Sequence, residues 1–207
     1  MQVSRELLFF FSALGAFNGL VIGLYFLIFI KPKKVSNYFL GLLLLTLSIR
    51  TGKSVFLYFN PDLAGIFLQI GMSACLFIGP SLYFYTRSVV APDSSISDWK
   101  YHFFPLAVII LIIDINYPWD QHYKEWRVLF RAIYLVWLIY LLLAAWVLRD
   151  LLKKLFNRTE KFSGMETWVS SVFIGNLLIW IAYNTVSYTS YIVGALSFSF
   201  IFYLLIL

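Results

Sequence analysis

Apolar residues fill most of this chain in seven long runs, and the polar residues are collected in short segments between them. A helix needs about 20 apolar residues to cross the hydrocarbon core of a bilayer. The pattern therefore predicts an all-α, polytopic membrane protein, a seven-transmembrane-helix bundle that forms one domain over residues 1–207. The predicted helices cover about 7–30, 37–59, 63–86, 101–115, 126–148, 168–186 and 191–207.

Composition strengthens this prediction, because only 13% of the residues are charged and 61% are hydrophobic. An ordinary soluble domain has about 25% charged residues, so a soluble globular fold is excluded. The net charge of +6 is not arranged as a basic stripe with interleaved aromatic residues outside the apolar runs. We therefore expect this segment to bind no nucleic acid itself, and the lipid bilayer to be its main partner.

The positive charges of the connecting segments predict the orientation of the bundle. One side holds three of them, Arg5, Lys124 and Arg127, and the other side holds ten, Lys31, Lys33, Lys34, Arg87, Lys100, Arg149, Lys153, Lys154, Arg158 and Lys161. Lys and Arg are retained on the cytoplasmic side of a membrane. We therefore expect a multi-pass protein of a bacterial inner (cytoplasmic) membrane, with its N-terminus outside and its last helix emerging in the cytoplasm.

Two helices carry small residues at four-residue spacing, which lets another helix backbone approach closely. These residues are Gly15, Gly19 and Gly23 in the first helix and Gly71, Cys75 and Gly79 in the third. They are expected to serve helix packing, either inside one bundle or between the two protomers of a homodimer; the first is favoured. Pro80 follows Gly79 and is expected to kink the third helix, as a hinge or as a fixed bend.

Charged residues inside apolar helices are costly, so they are candidates for a functional site. Several polar residues from different helices fall at the outer level of the predicted bundle, namely Arg50, Lys53, Asp114, Arg131, Tyr183 and Asn184. Together they predict a pocket, net basic within the helices, for a small anionic or zwitterionic ligand. The alternative is that Arg50, Lys53 and Arg131 pair with Asp114 and Asp62 or extend to the interface.

The chain contains none of the residue patterns that membrane enzymes use. We find no phosphate-binding glycine loop, no nucleophile elbow and no paired catalytic carboxylates. His102 and His122 fall on opposite sides of the predicted membrane, and no zinc spacing occurs. The sequence therefore predicts no enzymatic activity, no catalytic residues, no metal site and no cofactor.

Two phrases of the sequence resemble a known family. The segments "SIRTGKSVFLYFNPDL" (Ser48–Leu63) and "QIGMSACLFIGPSLYFYTRS" (Gln69–Ser88) are similar to the N-terminal membrane region of membrane-bound AraC-type transcription regulators. The resemblance extends in outline over all 207 residues through the helix order and the "KPKK" turn. It implies that a signal sensed at the membrane passes to a cytosolic helix-turn-helix domain that binds DNA.

This chain contains no helix-turn-helix of its own, so DNA binding is expected only from a domain beyond Leu207. The chain stops within the last apolar run, which favours such a continuation. The predicted function is therefore a sensory or regulatory membrane domain for transcription regulation. The alternative is a small-solute transporter or channel, in which Arg50, Lys53 and Arg131 would line the substrate path.

Overall fold

The computed structural model describes residues 2–32, 34–60, 62, 64–92, 96–157, 163–185 and 191–206. Helices account for the secondary structure of these residues, and no strand occurs among them, so the all-α prediction is confirmed for the described chain. The helices are α1 (Gln2–Ile28), α2 (Val35–Phe59), α3 (Gly65–Leu76), α4 (Ile78–Val90), α5 (Trp99–Asn116), α6 (Tyr123–Val147), α7 (Arg149–Asn157), α8 (Gly164–Asn184) and α9 (Tyr191–Ile206).

The described residues include six helical segments that are long and apolar enough to cross a membrane, with α3 and α4 forming one of them. These are Glu6–Ile28, Val35–Phe59, Gly65–Val90, Trp99–Asn116, Tyr123–Val147 and Gly164–Asn184. They match the first six predicted spans to within a few residues. The ends predicted at residues 63, 186 and 207 lie outside the described residues.

The seventh predicted span falls on α9, which is shorter than the other six. Its 16 residues extend about 24 Å at about 1.5 Å per residue, whereas the hydrocarbon core is about 30 Å thick. Its apolar stretch is Val193–Leu204. The seven-span count therefore stays a prediction.

A break in the third span separates α3 from α4 at Phe77, one turn before Pro80. Proline has no backbone N–H, and its ring collides with the carbonyl of the residue four positions earlier, here Leu76. The Phe77 amide donates to the Ala74 carbonyl at 3.1 Å, which tightens the last turn of α3. The expected distortion at Pro80 therefore takes the form of two helices rather than one bent helix.

Helix α2 lies at the centre of the bundle and packs against α1, α3, α4 and α9. Helix α6 packs against α3, α4 and α8, and α8 packs against α9. The backbone of helix α5 comes close to α3 and α4, and its side chains Phe103 and His102 reach α2 and α6. Most of its other side chains are exposed on the outer surface. Polar residues of α2 therefore face the interior of the bundle rather than its lipid-facing surface.

The glycines of α1 pack inside the bundle. A Cβ atom on Gly15 would collide with Ser199 of α9, and one on Gly19 would collide with Ser48 of α2. A Cβ atom on Gly23 would lie 2.9 Å from the Leu45 backbone nitrogen. Within the described chain, this face therefore brings α1 against α2 and α9.

The small residues of the third span contact two different helices. A Cβ atom on Gly71 would collide with the Lys53 side chain of α2, and Cys75 is fully buried. A Cβ atom on Gly79 would lie 3.1 Å from the Trp137 Cα and 2.9 Å from the Tyr140 Cβ. The break at Phe77 divides these residues between α3 and α4.

Gly23→Ala is expected to lower the free energy of unfolding by about 1–3 kcal/mol, because the new methyl group would press on backbone atoms that have no room to move. Gly52→Ala is the matched control, since a Cβ there has nothing within 4 Å. The free energy of unfolding of that variant should be unchanged or raised by up to about 1 kcal/mol, because alanine favours a helix more than glycine does. Unfolding of both variants in detergent measures the difference; equal stabilities would contradict this account of the α1–α2 contact.

Candidate functional site

Arg50 is buried in the middle of the bundle and is held by hydroxyl groups. Its side chain lies on α2, and only 2% of the residue is exposed. One terminal nitrogen donates to the Ser54 hydroxyl, one turn along the same helix, and the other donates to the Tyr134 hydroxyl of α6. Arg50 therefore links α2 to α6 across the interior.

Two aromatic rings flank the Arg50 guanidinium. Its Cζ lies 4.2 Å from the centre of the Tyr183 ring on α8 and 5.9 Å from the centre of the Tyr134 ring. The Tyr183 hydroxyl donates to the Thr51 hydroxyl at 3.3 Å, which ties α8 back to α2. Cation–π contacts contribute about 2 kcal/mol when they are desolvated, so these rings stabilise the buried cation.

No carboxylate among the described residues contacts Arg50. Ion pairs of described residues occur elsewhere, between Arg87 and Asp98 and around α7. The Arg50 Nε atom is buried and has no hydrogen-bond partner among the described residues. The site is therefore a desolvated positive charge held only by neutral groups, which favours an anion at this position.

Lys53 lies one turn after Arg50 on the same face of α2 and is 7% exposed. Its aliphatic stem runs across Gly71, where a Cβ would collide with it. Its Nζ lies 6.0 Å from the centre of the Phe130 ring on α6. Two basic side chains thus occupy neighbouring turns on one face of α2.

Asp114 does not pair with these cations. Its carboxylate Oδ2 accepts from the Ser73 hydroxyl at 2.7 Å, and its backbone carbonyl accepts from Gln69 Nε2 at 3.1 Å. The Gln69 Oε1 in turn accepts from the Trp119 amide at 3.2 Å. Asp114 therefore belongs to a separate cluster between α3 and the end of α5, and its expected place in the Arg50 pocket is not what the structure shows.

Arg131 and Asn184 also lie outside the cluster, because both are exposed. Successive residues point about 100° apart around a helix. Tyr183 faces Arg50, so Asn184 turns away and its side-chain nitrogen donates to the Trp180 carbonyl at 2.9 Å. Phe130 likewise faces Lys53, and Arg131 turns to the outer surface. Of the six predicted ligand residues, the structure brings together Arg50, Lys53 and Tyr183.

Three residues of the cluster lie outside the sequence-based prediction: Ser54, Thr51 and Tyr134. Ser54 could have been found from the sequence, because it lies four residues after Arg50 and so shares its helix face. Tyr134 carries no comparable signal, because α6 has aromatic residues on several faces. The ring of Tyr134 also stacks on Trp137, with centroids 6.0 Å apart, and so extends the cluster along α6.

A layer of aromatic rings packs between α2, α4 and α5, toward the N-terminal end of α2 from the Arg50 cluster. Phe39 lies 11 residues before Arg50, about 16 Å along α2. Its ring centre is 5.3 Å from that of Phe84 on α4 and 6.0 Å from that of Phe103 on α5. All three side chains are buried. The contact between α2, α4 and α5 at this level is therefore apolar.

The described residues contain no group of three or more His, Cys, Asp or Glu side chains able to hold a metal ion. His102 instead shares a hydrogen bond of 2.8 Å with the Tyr140 hydroxyl, and Cys75 is a buried free thiol. The groups that the Arg50 cluster presents are basic side chains, hydroxyl groups and ring faces.

Comparisons with protein-family models, with curated proteins and with solved structures return no match to this chain. The resemblance to AraC-type regulators therefore remains a prediction from the two sequence phrases.

Proposed function

We propose that this chain is a membrane-embedded sensory domain that binds a small anionic or zwitterionic ligand at Arg50 and relays that signal to a cytosolic transcription-regulatory domain. In this proposal the protein lies in a bacterial inner membrane with its N-terminus outside, as the ten-to-three distribution of basic residues indicates. The ligand reaches Arg50 from the outer side. The regulatory domain follows α9, as the resemblance to AraC-type regulators implies, and homodimerisation suits its binding to DNA.

The buried guanidinium of Arg50 is the observation that carries this proposal. A charge in the apolar interior of a membrane bundle is costly, and such residues usually serve a function. Here no described carboxylate offsets that cost, and the Nε donor is left over. An anionic group that accepts from Arg50 would supply the missing charge and hydrogen bond together.

The signal has a short route from this site to the rest of the bundle. Arg50 binds Tyr134, Tyr134 stacks on Trp137, and the Trp137 backbone contacts Gly79 beside Pro80. A ligand that competes with Tyr134 for the guanidinium would shift α6 against α4. The ligand favours the shifted arrangement of α6 and α4 only if it binds that arrangement more tightly than the ligand-free one.

A transporter or channel is the alternative function, with Arg50 and Lys53 lining the substrate path. The aromatic layer of Phe39, Phe84 and Phe103 favours the sensor, because these three rings offer a polar substrate no hydrogen-bonding group between α2, α4 and α5. A transporter must open a path through this layer in every cycle. A sensor needs only a small rearrangement at its site.

A panel of small probes tests the proposal on the chain in lipid nanodiscs. Acetate, phosphate, glutamate and glycine betaine represent anionic and zwitterionic ligands, choline a cation and glycerol a neutral solute. A ligand at a concentration of 100 times its Kd stabilises the folded protein by about 2.7 kcal/mol. This is measurable as a rise in the midpoint temperature of thermal unfolding.

We expect at least one anionic or zwitterionic probe to raise the midpoint in a saturable way, and choline and glycerol to leave it unchanged. Arg131→Ala, an exposed cation of α6, is the control and should respond as the wild type does. No response to any of the four anionic or zwitterionic probes, or an equal response to choline, would overturn the proposal.

A further inference from the structure

Two open grooves lie side by side on the surface of the bundle, at the end where α2 and α5 begin. The smaller has a volume of about 320 Å³ and is bordered by α1, α2 and α5. The larger has a volume of about 660 Å³ and is bordered by α2, α5 and Phe77. Because Leu42, Trp99 and Phe103 line both grooves, the two form one surface feature with two lobes, which we call the α2–α5 groove.

The α2–α5 groove opens on the outer surface of helices that are long and apolar enough to cross a membrane. Val35 of the smaller lobe is 50% exposed, and Phe104 of the larger lobe is 71% exposed. A large exposed apolar surface marks a site of contact with a membrane or another protein. In a membrane-spanning bundle, the groove is therefore in contact with the hydrocarbon of the bilayer.

The depth of the larger lobe matches one leaflet of a bilayer. On α5 the lobe extends from Trp99, the first residue of the helix, to Ala107, about 12 Å further at about 1.5 Å per residue. On α2 it reaches Thr46, which lies about 16 Å from Val35 at the start of that helix. Half of the hydrocarbon core is about 15 Å thick. An acyl chain of a lipid with its headgroup beside Trp99 therefore fits the length of this lobe.

Basic residues lie at the shallow end of the α2–α5 groove. Lys100 lines the larger lobe, and Lys34 directly precedes Val35 of the smaller one; both lysines are exposed. Neither lysine forms an ion pair with another described residue, and the nearby Asp98 carboxylate is paired with Arg87 at 2.6 Å. Basic pockets between helices on the cytoplasmic side of a membrane bind anionic headgroups. The charge at this end is thus complementary to an anionic lipid.

We propose that the α2–α5 groove binds an anionic phospholipid, with its headgroup at the end that carries Lys34 and Lys100 and its two acyl chains in the two lobes. Trp99 and Tyr101 lie at the level of the headgroup, as aromatic residues do at a membrane interface. The larger lobe reaches Phe77, so one acyl chain lies against the break between α3 and α4. This site is separate from the Arg50 cluster and does not depend on the function proposed for it.

Native mass spectrometry of the chain, delipidated in detergent, measures this binding. Phosphatidylglycerol and phosphatidylcholine with identical acyl chains are the two probes, because they differ in net charge. Each lysine close to an anionic headgroup contributes about fivefold in affinity. We expect the first molecule of phosphatidylglycerol to bind about 25-fold more tightly than the first of phosphatidylcholine, and the Lys34→Gln/Lys100→Gln variant to lose this preference.

Arg149→Gln/Lys153→Gln is the matched control for the two charges. Both residues are exposed on α7, on the same side of the predicted membrane, and neither lines the groove. The control variant should keep the preference of the wild type. An equal loss in this variant would show a diffuse attraction to basic residues and would overturn the assignment of the site.

A second pair of variants tests the placement of the acyl chains. Ala107→Phe fills the larger lobe and should weaken the binding of both lipids by about tenfold or more, because apolar contact area is lost. Val108→Phe adds the same ring at the next position, which is 39% exposed and lies outside the groove lining, and should bind as the wild type does. Size-exclusion profiles verify that each variant is folded.

Equal affinities of the wild type for the two lipids would overturn this inference, and that result needs no variant. A 25-fold preference that persists in the Lys34→Gln/Lys100→Gln variant would do so as well. A folded Ala107→Phe variant with wild-type affinities would exclude the acyl chain from the larger lobe. These outcomes are distinct from those of the Arg50 experiment, which uses small soluble probes.

Discussion

Replacing Arg50 by alanine is expected to abolish the response of the cell to the signal that this protein senses. The variant should insert and accumulate normally, because removing the cation leaves only neutral groups behind, the hydroxyls of Ser54 and Tyr134. The loss of their hydrogen bonds costs about 1–3 kcal/mol. The transcript profile of cells that carry Arg50→Ala should then equal that of cells from which the gene is deleted.

Arg131→Ala provides the matched control for this experiment, since it removes a cation from the exposed surface of α6. Its transcript profile should remain that of the wild type. Immunoblots of membrane fractions verify equal amounts of each protein. A wild-type profile in the Arg50→Ala strain would contradict the assignment of Arg50 as the sensing residue.

Pro80→Ala is expected to make the third span one continuous helix and to remove most of the response of the cell to the sensed signal. Alanine restores an N–H that can donate to the Leu76 carbonyl and removes the ring that collides with it. The helix can then continue through Phe77, so α3 and α4 no longer bend independently. Amide hydrogen exchange should slow by about tenfold or more around Phe77, as one added hydrogen bond stabilises the local structure by about 1 kcal/mol or more.

Pro105→Ala is the control, because Pro105 also lies inside a helix but α5 continues through it without a break. Residue 105 is exposed, and α5 lies at the edge of the bundle. Its replacement should leave exchange around Phe77 and the response unchanged. A full response in Pro80→Ala cells, with exchange around Phe77 slowed, would show that the break is a fixed bend rather than a hinge.

The sequence was sufficient to predict the coarse fold. Continuous apolar runs separated by turn residues predict long helices, and six of them are long and apolar enough to cross a membrane. The proline at position 80 also predicts a distortion, because the steric conflict is local and depends on no other helix. The structure adds the position of the break, one turn earlier at Phe77.

The composition of the candidate site was harder to predict. In a soluble protein, polarity shows which face of a helix is buried, but a membrane helix is apolar on its lipid-facing side as well. The sequence therefore does not show whether Arg131 or Phe130 of α6 faces α2. The structure turns Phe130 inward and leaves Arg131 exposed. Tyr134 joins the site for the same reason, without a signal in the spacing.

The glycine faces show the same limit, because their spacing predicts a close contact but not the helix that makes it. Four-residue spacing in α1 predicts that another backbone comes close, and the structure shows that approach at Gly23. Spacing alone does not name the partner helix. That partner depends on the order in which helices pack around α2, which puts α9 against Gly15 and α2 against Gly23.

The central claim is that Arg50 binds an anionic group, and one comparison tests it most directly. The probe that gives the largest rise in thermal midpoint for the wild type in nanodiscs is applied to Arg50→Met. A buried charge replaced by an apolar side chain of similar length is often neutral or stabilising, so the variant should be at least as stable without the probe. The account predicts that the probe no longer raises its midpoint; an equal rise in Arg50→Met and the wild type would contradict it.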